Sequence, residues 1–208
     1  PEAGPRFGAA EIPPGSRGAT RSLRRRDPPG LAVDGAGTVY AVTEDLVVNV
    51  RSRAGGWAQD TGARDALNDI GMLPTLDPGD IARVGAAANA GGDLVIGSVN
   101  IRQIGPSEIA LFARRVVSRR AGGAWSVGLL ASEVADRPAV GIDGGGAITV
   151  AWAANEPSTG VFRTEGQAGG ELGPKIRMVD LSSTRVGAQR QVDVAVAENG
   201  AATIATVY

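Results

Sequence analysis

Acidic residues concentrate in one stretch of the sequence, from Ala58 to Asp80. The stretch carries the oxygen-bearing side chains of Asp60, Asp65, Asn68, Asp69, Asp77 and Asp80. Clustered oxygen ligands suit a hard cation, and Asp65, Asn68 and Asp69 are the candidate ligands for Ca²⁺. Their spacing matches no EF-hand loop, and scattered acids on a solvated loop explain the same pattern. No cofactor other than this candidate calcium ion is predicted.

Arginines form a second group with recognisable chemistry. A guanidinium binds a carboxylate through two parallel hydrogen bonds, so arginines that converge would recognise an acidic sugar. Salt bridges to the nearby aspartates explain the same residues equally well. The arginines expected on the same side as the acidic stretch are Arg64, Arg83, Arg102, Arg137 and Arg163. The candidate ligand-binding residues are Asp65, Asp69, Asp77, Asp80, Arg83, Arg102 and Arg137.

Several kinds of site are excluded by composition. The 208 residues include no Cys and no His, which removes disulfides, thiol nucleophiles, imidazole bases and the usual zinc sites. A net charge of −1 gives no field that favours nucleic acid, and the run Arg24 to Arg26 has no interleaved aromatic residues. No apolar run reaches the roughly 20 residues of a membrane span. The start at Pro1, without Met or a signal-like segment, predicts a processed or trimmed product.

A repeated hairpin pattern must position these side chains. Two short alternating apolar runs flank an Asp/Asn/Gly turn in residues 31–42, and the plan recurs three times. The turn glycines Gly37, Gly92, Gly146 and Gly200 are 55, 54 and 54 residues apart. The first turn residue is Asp34, Asn89, Asp143 or Ala197. Because alanine occupies one repeat, the polar residue is interpreted as turn chemistry rather than a repeated catalytic or metal-binding group.

A second turn per period completes each unit. Gly55-Gly56 before Trp57, and Gly122-Gly123 before Trp125, predict hairpins between a third and a fourth strand. Four antiparallel strands in ~50 residues are the content of a β-propeller blade. The sequence therefore predicts an all-β propeller of four repeats with four-stranded blades. Residues 1–208 form one domain, in which residues 1–30 supply an N-terminal strand and a basic loop.

The repeats also resemble a known group of proteins. The segment from Arg119 to Ser126, followed by Arg137 to Gly146 and Ile148 to Trp152, is similar to degenerate propeller repeats of proteins secreted by high-GC actinobacteria. Those repeats resemble sialidase-like and NHL-like propellers of six to eight blades. The resemblance implies an extracellular or cell-surface propeller and carries no catalytic residues with it.

Ring closure has two solutions that fit the sequence. The fourth hairpin ends at Tyr208 without a third strand, while Arg6 to Ile12 predicts a strand at the other terminus. The two ends would pair in one blade of a small ring, or another segment or chain would complete a larger propeller. In the second case the chain is a subunit of an assembly formed by edge-strand pairing.

Connection lengths favour one side of the propeller for binding. The connections from a second to a third strand, and from a fourth strand to the next first strand, are long and irregular. The side of the propeller that carries these connections is called the long-connection side. Variable loops on a rigid scaffold usually carry binding. We therefore expect a non-catalytic binding or interaction module with a protein or glycan partner. The alternative is a glycan-processing enzyme, for which sialidase-like chemistry would need a nucleophilic Tyr40 or Tyr208.

Overall fold

The computed structural model describes residues 30–71, 81–103, 109–130, 138–154, 159–180 and 191–207. These residues form fourteen strands and one short helix. The bounds are β1 Gly30–Val33, β2 Val39–Val42, β3 Val48–Arg51, β4 Trp57–Asp60, α1 Gly62–Asp69, β5 Ile81–Ala88, β6 Leu94–Gln103, β7 Ile109–Arg119, β8 Ser126–Leu130, β9 Ala139–Ile142, β10 Ala147–Ala154, β11 Gly160–Gln167, β12 Ile176–Asp180, β13 Gln191–Val196 and β14 Ala202–Val207.

The strands form four antiparallel sheets in sequence order. The first sheet is β1-β2-β3-β4, the second β5-β6-β7-β8 and the third β9-β10-β11-β12, each with strands paired to their sequence neighbours. Within the described residues the fourth sheet contains only β13 and β14. The prediction of an all-β chain is confirmed, and the sheets are compatible with a propeller-like fold. Three sheets have the four strands predicted for a blade, whereas the described part of the fourth has two.

The repeated hairpins share one backbone geometry. The N–H of the turn glycine donates to the carbonyl three residues earlier, as from Gly37 to Asp34 (3.0 Å) and from Gly200 to Ala197 (2.9 Å). The four glycines have φ between 80° and 85°, in the left-handed region that suits a residue without a Cβ. A type I turn followed by such a residue makes a three-residue hairpin loop.

Apolar side chains fill the spaces between neighbouring sheets. Val42, Leu94 and Ile96 lie between the first and second sheets, and none of them is exposed to solvent. Between the second and third sheets the core contains large residues, among them Trp152 and Phe162, whose rings stack 6.0 Å apart. Between the third and fourth sheets it is built mainly from alanine and valine. Each sheet therefore buries its surface against the next one.

Two local features differ from the sequence interpretation. The sequence from Ala66 to Ile70 predicts one helical turn, and the structure has an eight-residue helix, α1, whose Ala63 and Leu67 are completely buried. The alternation from Leu46 to Arg53 predicts the third strand, but β3 begins at Val48, and Leu46 lies in the turn before it with φ of 62°. Its side chain is 1% exposed, so burial compensates for an unfavourable backbone conformation. No helix among the described residues has the length and apolar character needed to cross a membrane.

Candidate binding site

The first strands of the four sheets lie beside one another and line one cavity. Each of β1, β5, β9 and β13 forms the inner edge of its own sheet. Successive first strands contact each other: β1 lies beside β5, β5 beside β9, and β9 beside β13. Within the described residues each of these strands has a paired neighbour on one side only, so backbone N–H and C=O groups on its other side point away from its own sheet.

These strands surround a cavity of ≈ 240 Å³. All four contribute to its wall, and Pro138 adds to it just before β9 begins. The lining residues are Gly30, Leu31, Gly85, Ala86, Pro138, Ala139, Val140, Asp193 and Val194. Since Pro138 and Ala139 stand at the start of β9, the cavity adjoins the point where a connection from the preceding sheet enters.

Small residues allow the strands around the cavity to approach closely. A Cβ on Gly97 would lie 2.8 Å from the carbonyl oxygen of Pro138 and 2.8 Å from Cγ1 of Val140. A Cβ on Gly30 would lie 3.1 Å from Cγ1 of Val84. Larger side chains at these glycines would push the sheets apart and change the cavity.

Asp193 gives the cavity its charge. It is the one ionisable residue among the described residues that line the cavity. Its neighbour Val192 is 4% exposed and packs against the third sheet, whereas Asp193 is exposed. Successive side chains of a strand point to opposite faces, so the carboxylate lies on the side away from the third sheet. A carboxylate among unpaired backbone groups suits a small polar ligand with a cationic or donor group.

The hairpin turns on the opposite side have a structural role. Oδ1 of Asp34 accepts the amide N–H groups of Ala36 (2.9 Å) and Thr38 (2.8 Å), and Oδ2 accepts the Tyr40 hydroxyl (2.9 Å). Burial raises the pKa of Asp34, but the hydrogen bonds from Thr38, Tyr40 and Ala36 outweigh it and the pKa falls below its ordinary value. The sequence interpretation of Asp34 as turn chemistry fits this geometry.

Tyr40 is poorly suited to act as a nucleophile. Burial raises the pKa of its hydroxyl, and the hydrogen bond to Asp34 raises it further. A sialidase-like nucleophile would need the opposite, an easily ionised hydroxyl. Tyr208, the other candidate, lies outside the described residues.

A polar network joins the second and third sheets on the turn side. The Arg120 guanidinium donates to Oδ2 of Asp93 (2.8 Å), to the carbonyl of Gly145 (2.8 Å) and to Oε1 of Gln167 (3.0 Å). Burial raises the pKa of Asp93, but hydrogen bonds from Ala121, Asn89 and Arg120 lower it more, so its pKa is below the ordinary value. This network fixes the orientation of the two sheets.

The predicted calcium ligands lie on the solvent side of α1. Asp65, Asn68 and Asp69 are all exposed, and residues three or four apart share one helix face. Oδ2 of Asp65 accepts the Thr61 hydroxyl (2.6 Å). Within the described ranges no group of three or more His, Cys, Asp or Glu is placed to hold a metal ion. Calcium binding stays a prediction.

The remaining predicted ligand-binding residues are not shown as one cluster. Arg83 lies half-buried in β5, and Arg102 lies in β6. Asp77, Asp80 and Arg137 fall outside the described residues. Of the other two arginines, Arg64 lies 3.8 Å from Asp45, and Arg163 lies 3.1 Å from Glu165. Arg64 and Arg163 thus each have an acidic partner, although the partner of Arg163 is a glutamate rather than one of the aspartates of the sequence interpretation.

Sequence reasoning missed Arg115, which is 4% exposed in β7. Its Nε and Nη1 atoms have no hydrogen-bond partner among the described residues, and Ser98, paired with it across β6, also has an unsatisfied hydroxyl there. Burial lowers the pKa of Arg115 from its ordinary value. A buried guanidinium without a counter-charge is costly. The sequence of β7 contains a weak signal for this residue, since Arg115 occupies a position at which the alternation predicts a buried apolar side chain.

Trp125, which follows the Gly122-Gly123 turn, packs against residues at the end of the first sheet. The Arg119 guanidinium lies over its ring at 4.9 Å from the centroid, and the same arginine pairs with Asp60 of the first sheet at 3.1 Å. A Cβ added to Gly62 would meet the Trp125 ring at 2.5 Å. Trp125 therefore packs at the interface between the first and second sheets.

Comparison with known proteins adds little to this geometry. No family model matches this chain, and no curated protein matches it. A search of solved structures matches a streptogramin B lyase at 10% sequence identity, over 89% of this chain and 70% of that chain, with a TM-score of 0.31. At that TM-score the two chains share too little to transfer fold detail or function.

Proposed function

We propose that this chain is a binding module that holds a small polar group of its partner in the central cavity. The observation that supports the proposal is that all four first strands line one ≈ 240 Å³ space and that Asp193 is among the lining residues. The space adjoins the long-connection side, where rigid scaffolds usually carry binding. Glycan hydroxyls or a protein amine would both find hydrogen-bond partners there.

The proposed ligand group carries a positive charge or several hydrogen-bond donors. Asp193 would accept from an ammonium or guanidinium group, and the unpaired backbone groups of the first strands would complete its contacts. Glycines in the wall leave the backbone accessible to a ligand. Placement of the protein outside the cytoplasm is part of the proposal and rests only on the resemblance of its repeats.

An NMR titration tests the cavity. We expect ethylammonium to shift the backbone amide signals of Gly30, Gly85 and Asp193, while ethanol shifts them less because it lacks the charge. Asp193→Asn, which keeps the size of the side chain, should weaken the ethylammonium effect about tenfold or more, since a hydrogen bond to a charged group contributes about 1.5–3 kcal/mol.

Asp69→Asn is the matched control because Asp69 is exposed on α1 and does not line the cavity. It should leave the titration unchanged. Shifts that follow Asp69 instead of Asp193, or no saturable shift in the wild-type protein, would rule out the cavity as the binding site.

A further inference from the structure

The fourth hairpin turn, residues 197–200, lacks a contact that the other three turns share. In each of the first three turns, the side chain of the first turn residue accepts the N–H of the residue four positions later. These bonds run from Thr38 to Asp34 (2.8 Å), from Asp93 to Asn89 (3.0 Å) and from Ala147 to Asp143 (2.7 Å). The first residue of the fourth turn is Ala197, whose methyl group cannot accept a hydrogen bond.

Asn199 replaces this contact in the fourth turn. Its Oδ1 accepts the N–H of Ala201 at 3.1 Å, and Ala201 is the residue four positions after Ala197. An amide side chain therefore stands next to the turn glycine, Gly200. The residues at the equivalent positions of the other turns have no side-chain carbonyl; they are Ala36, Gly91 and Gly145.

The pair Asn199-Gly200 can react with itself. A bond between the backbone nitrogen of Gly200 and Cγ of Asn199 closes a five-membered ring, and glycine has no Cβ to crowd that nitrogen. Asn199 is followed by glycine, whereas none of the other asparagines in the sequence is. The fourth turn is thus where the sequence places an amide side chain beside an uncrowded backbone nitrogen.

The hydrogen bond from Ala201 also prepares Asn199 for attack. When a nucleophile adds to Cγ, negative charge develops on Oδ1, the atom to which the Ala201 N–H already donates. A donor fixed at the site of developing charge lowers the barrier of such a reaction. The contact that replaces the missing turn acceptor therefore acts like an oxyanion hole with a single donor.

Solvent reaches the nucleophile in the fourth turn. The Gly200 N–H donates to the Ala197 carbonyl at 2.9 Å, and this bond must open before the proton leaves. All residues from Ala197 to Ala201 are exposed, whereas the turn glycines Gly92 and Gly146 of the second and third hairpins are buried. Hydroxide therefore has access to Gly200 that it lacks at those two glycines.

Two acidic side chains lie close to the reacting atoms. Oδ2 of Asp143 would be 3.2 Å from a Cβ added to Gly200, and Glu198 belongs to the turn itself. Their negative charges oppose loss of the proton from the Gly200 nitrogen. Asp143→Asn keeps a turn acceptor, as Asn89 does in the second hairpin, so it should remove one of these charges and speed the reaction.

We propose that Asn199 is a site of spontaneous covalent modification in the folded protein. The Gly200 nitrogen gives its proton to hydroxide and bonds to Cγ of Asn199. The Cγ–Nδ2 bond breaks, and Nδ2 takes a proton from water and leaves as ammonia. Water then opens the cyclic imide at either carbonyl, which leaves aspartate or isoaspartate at this position. The reaction needs no oxidant and no reactant besides water and hydroxide.

Conversion would change the turn at the end of a strand that lines the cavity. Isoaspartate adds a carbon atom to the main chain of the hairpin, and both products carry a charge where the amide is neutral. Just before this turn ends β13, which carries Asp193 and Val194 of the cavity wall. The modification does not depend on ligand binding in that cavity.

Mass spectrometry of proteolytic peptides measures the reaction. After incubation of the full chain in mildly alkaline buffer, the peptide containing Asn199 should gain the mass difference between a hydroxyl and an amino group. In water labelled with heavy oxygen it should incorporate the label. Asn68, which is exposed on α1 and followed by Asp69, is the control within the same molecule and should react at least about tenfold more slowly.

Protein variants test the geometry of the turn. Asn199→Gln keeps the amide but must close a larger ring, so it should react at least about tenfold more slowly. Ala201→Pro removes the N–H that donates to Oδ1 and should also slow the reaction. If Ala201→Pro does not fold, the faster reaction expected for Asp143→Asn still tests the arrangement.

Three outcomes would overturn the proposal. The first is an unchanged Asn199 in the folded protein under conditions that convert a peptide with the sequence of residues 196–202. The second is conversion of Asn68 or of the Asn199→Gln variant as fast as that of Asn199, which would show general amide hydrolysis. The third is a conversion rate that neither Ala201→Pro nor Asp143→Asn changes.

Discussion

The junction between the second and third sheets differs from the junction between the third and fourth. The first of these is filled by Trp152, Phe162 and several aliphatic residues, and Arg120 makes hydrogen bonds across it beside the hairpin turns. The second contains mainly alanine and valine, and within the described residues it covers only the inner half of the third sheet. The comparison teaches that the fold is held by contacts between sheets, and that in the described residues these contacts differ in the size of the side chains that fill them.

Truncation of a core side chain should destabilise the protein more at the junction between the second and third sheets than at the junction between the third and fourth. Trp152→Ala removes a side chain that is 1% exposed, and we expect it to lower the free energy of unfolding by about 3–5 kcal/mol. Val192→Ala, in the smaller junction, should cost about 1.5 kcal/mol, since it deletes two methyl-sized groups at about 0.8 kcal/mol each. Urea denaturation measures both; equal losses would contradict the difference between the junctions.

Two arginines sharpen the comparison because Arg115 is buried with donors that lack partners among the described residues, whereas Arg120 is partly exposed and makes three hydrogen bonds. Arg115→Met replaces a buried guanidinium, two of whose donors have no partner among the described residues, with an apolar side chain and should raise the free energy of unfolding by about 1–3 kcal/mol. Arg120→Met, the control, removes three hydrogen bonds and should lower it. Thermal and urea unfolding would refute this explanation if Arg115→Met were the less stable of the two variants.

The pH dependence of Asp93 is a smaller effect at the same junction. The folded protein lowers the pKa of this carboxyl below 3.8, so ionisation stabilises the fold above that pH, and the contribution is lost as the pH falls through the lowered pKa. Asp93→Asn should be less stable than wild type by about 1 kcal/mol at pH 7. The difference should vanish in strong acid. Urea unfolding from pH 2 to 7 would reveal a constant difference if the account is wrong.

Local chemistry explains what could be predicted from the sequence. The hairpin turns are set by Asp34 and its counterparts and by glycines with positive φ, all within a few residues of one another. Alternating apolar residues then indicated the strands. The full length of α1 and the turn at Leu46 were not predicted, because both depend on burial between the first and second sheets.

The candidate site was harder to predict because it depends on which strands become neighbours. Asp193 looked like any polar residue of an alternating strand, and it enters the cavity only because four first strands meet. Likewise, Ile176 and Val179 look like residues of an ordinary strand, and the sequence pattern does not show that β12 is exposed. The acids of α1 attracted attention through their residue types, whereas the helix presents them to solvent.

Amide hydrogen exchange along β14 tests the central claim, that the junctions differ and that within the described residues β14 pairs with β13 alone. In the isolated protein we predict protection of the Thr203 and Ala205 amides by β13 and rapid exchange at Ile204 and Thr206. The equivalent amides of Val150 and Trp152 in β10 should be protected, because β11 covers that edge. Uniform protection of all four β14 amides would show that the edge is already paired and would contradict the account.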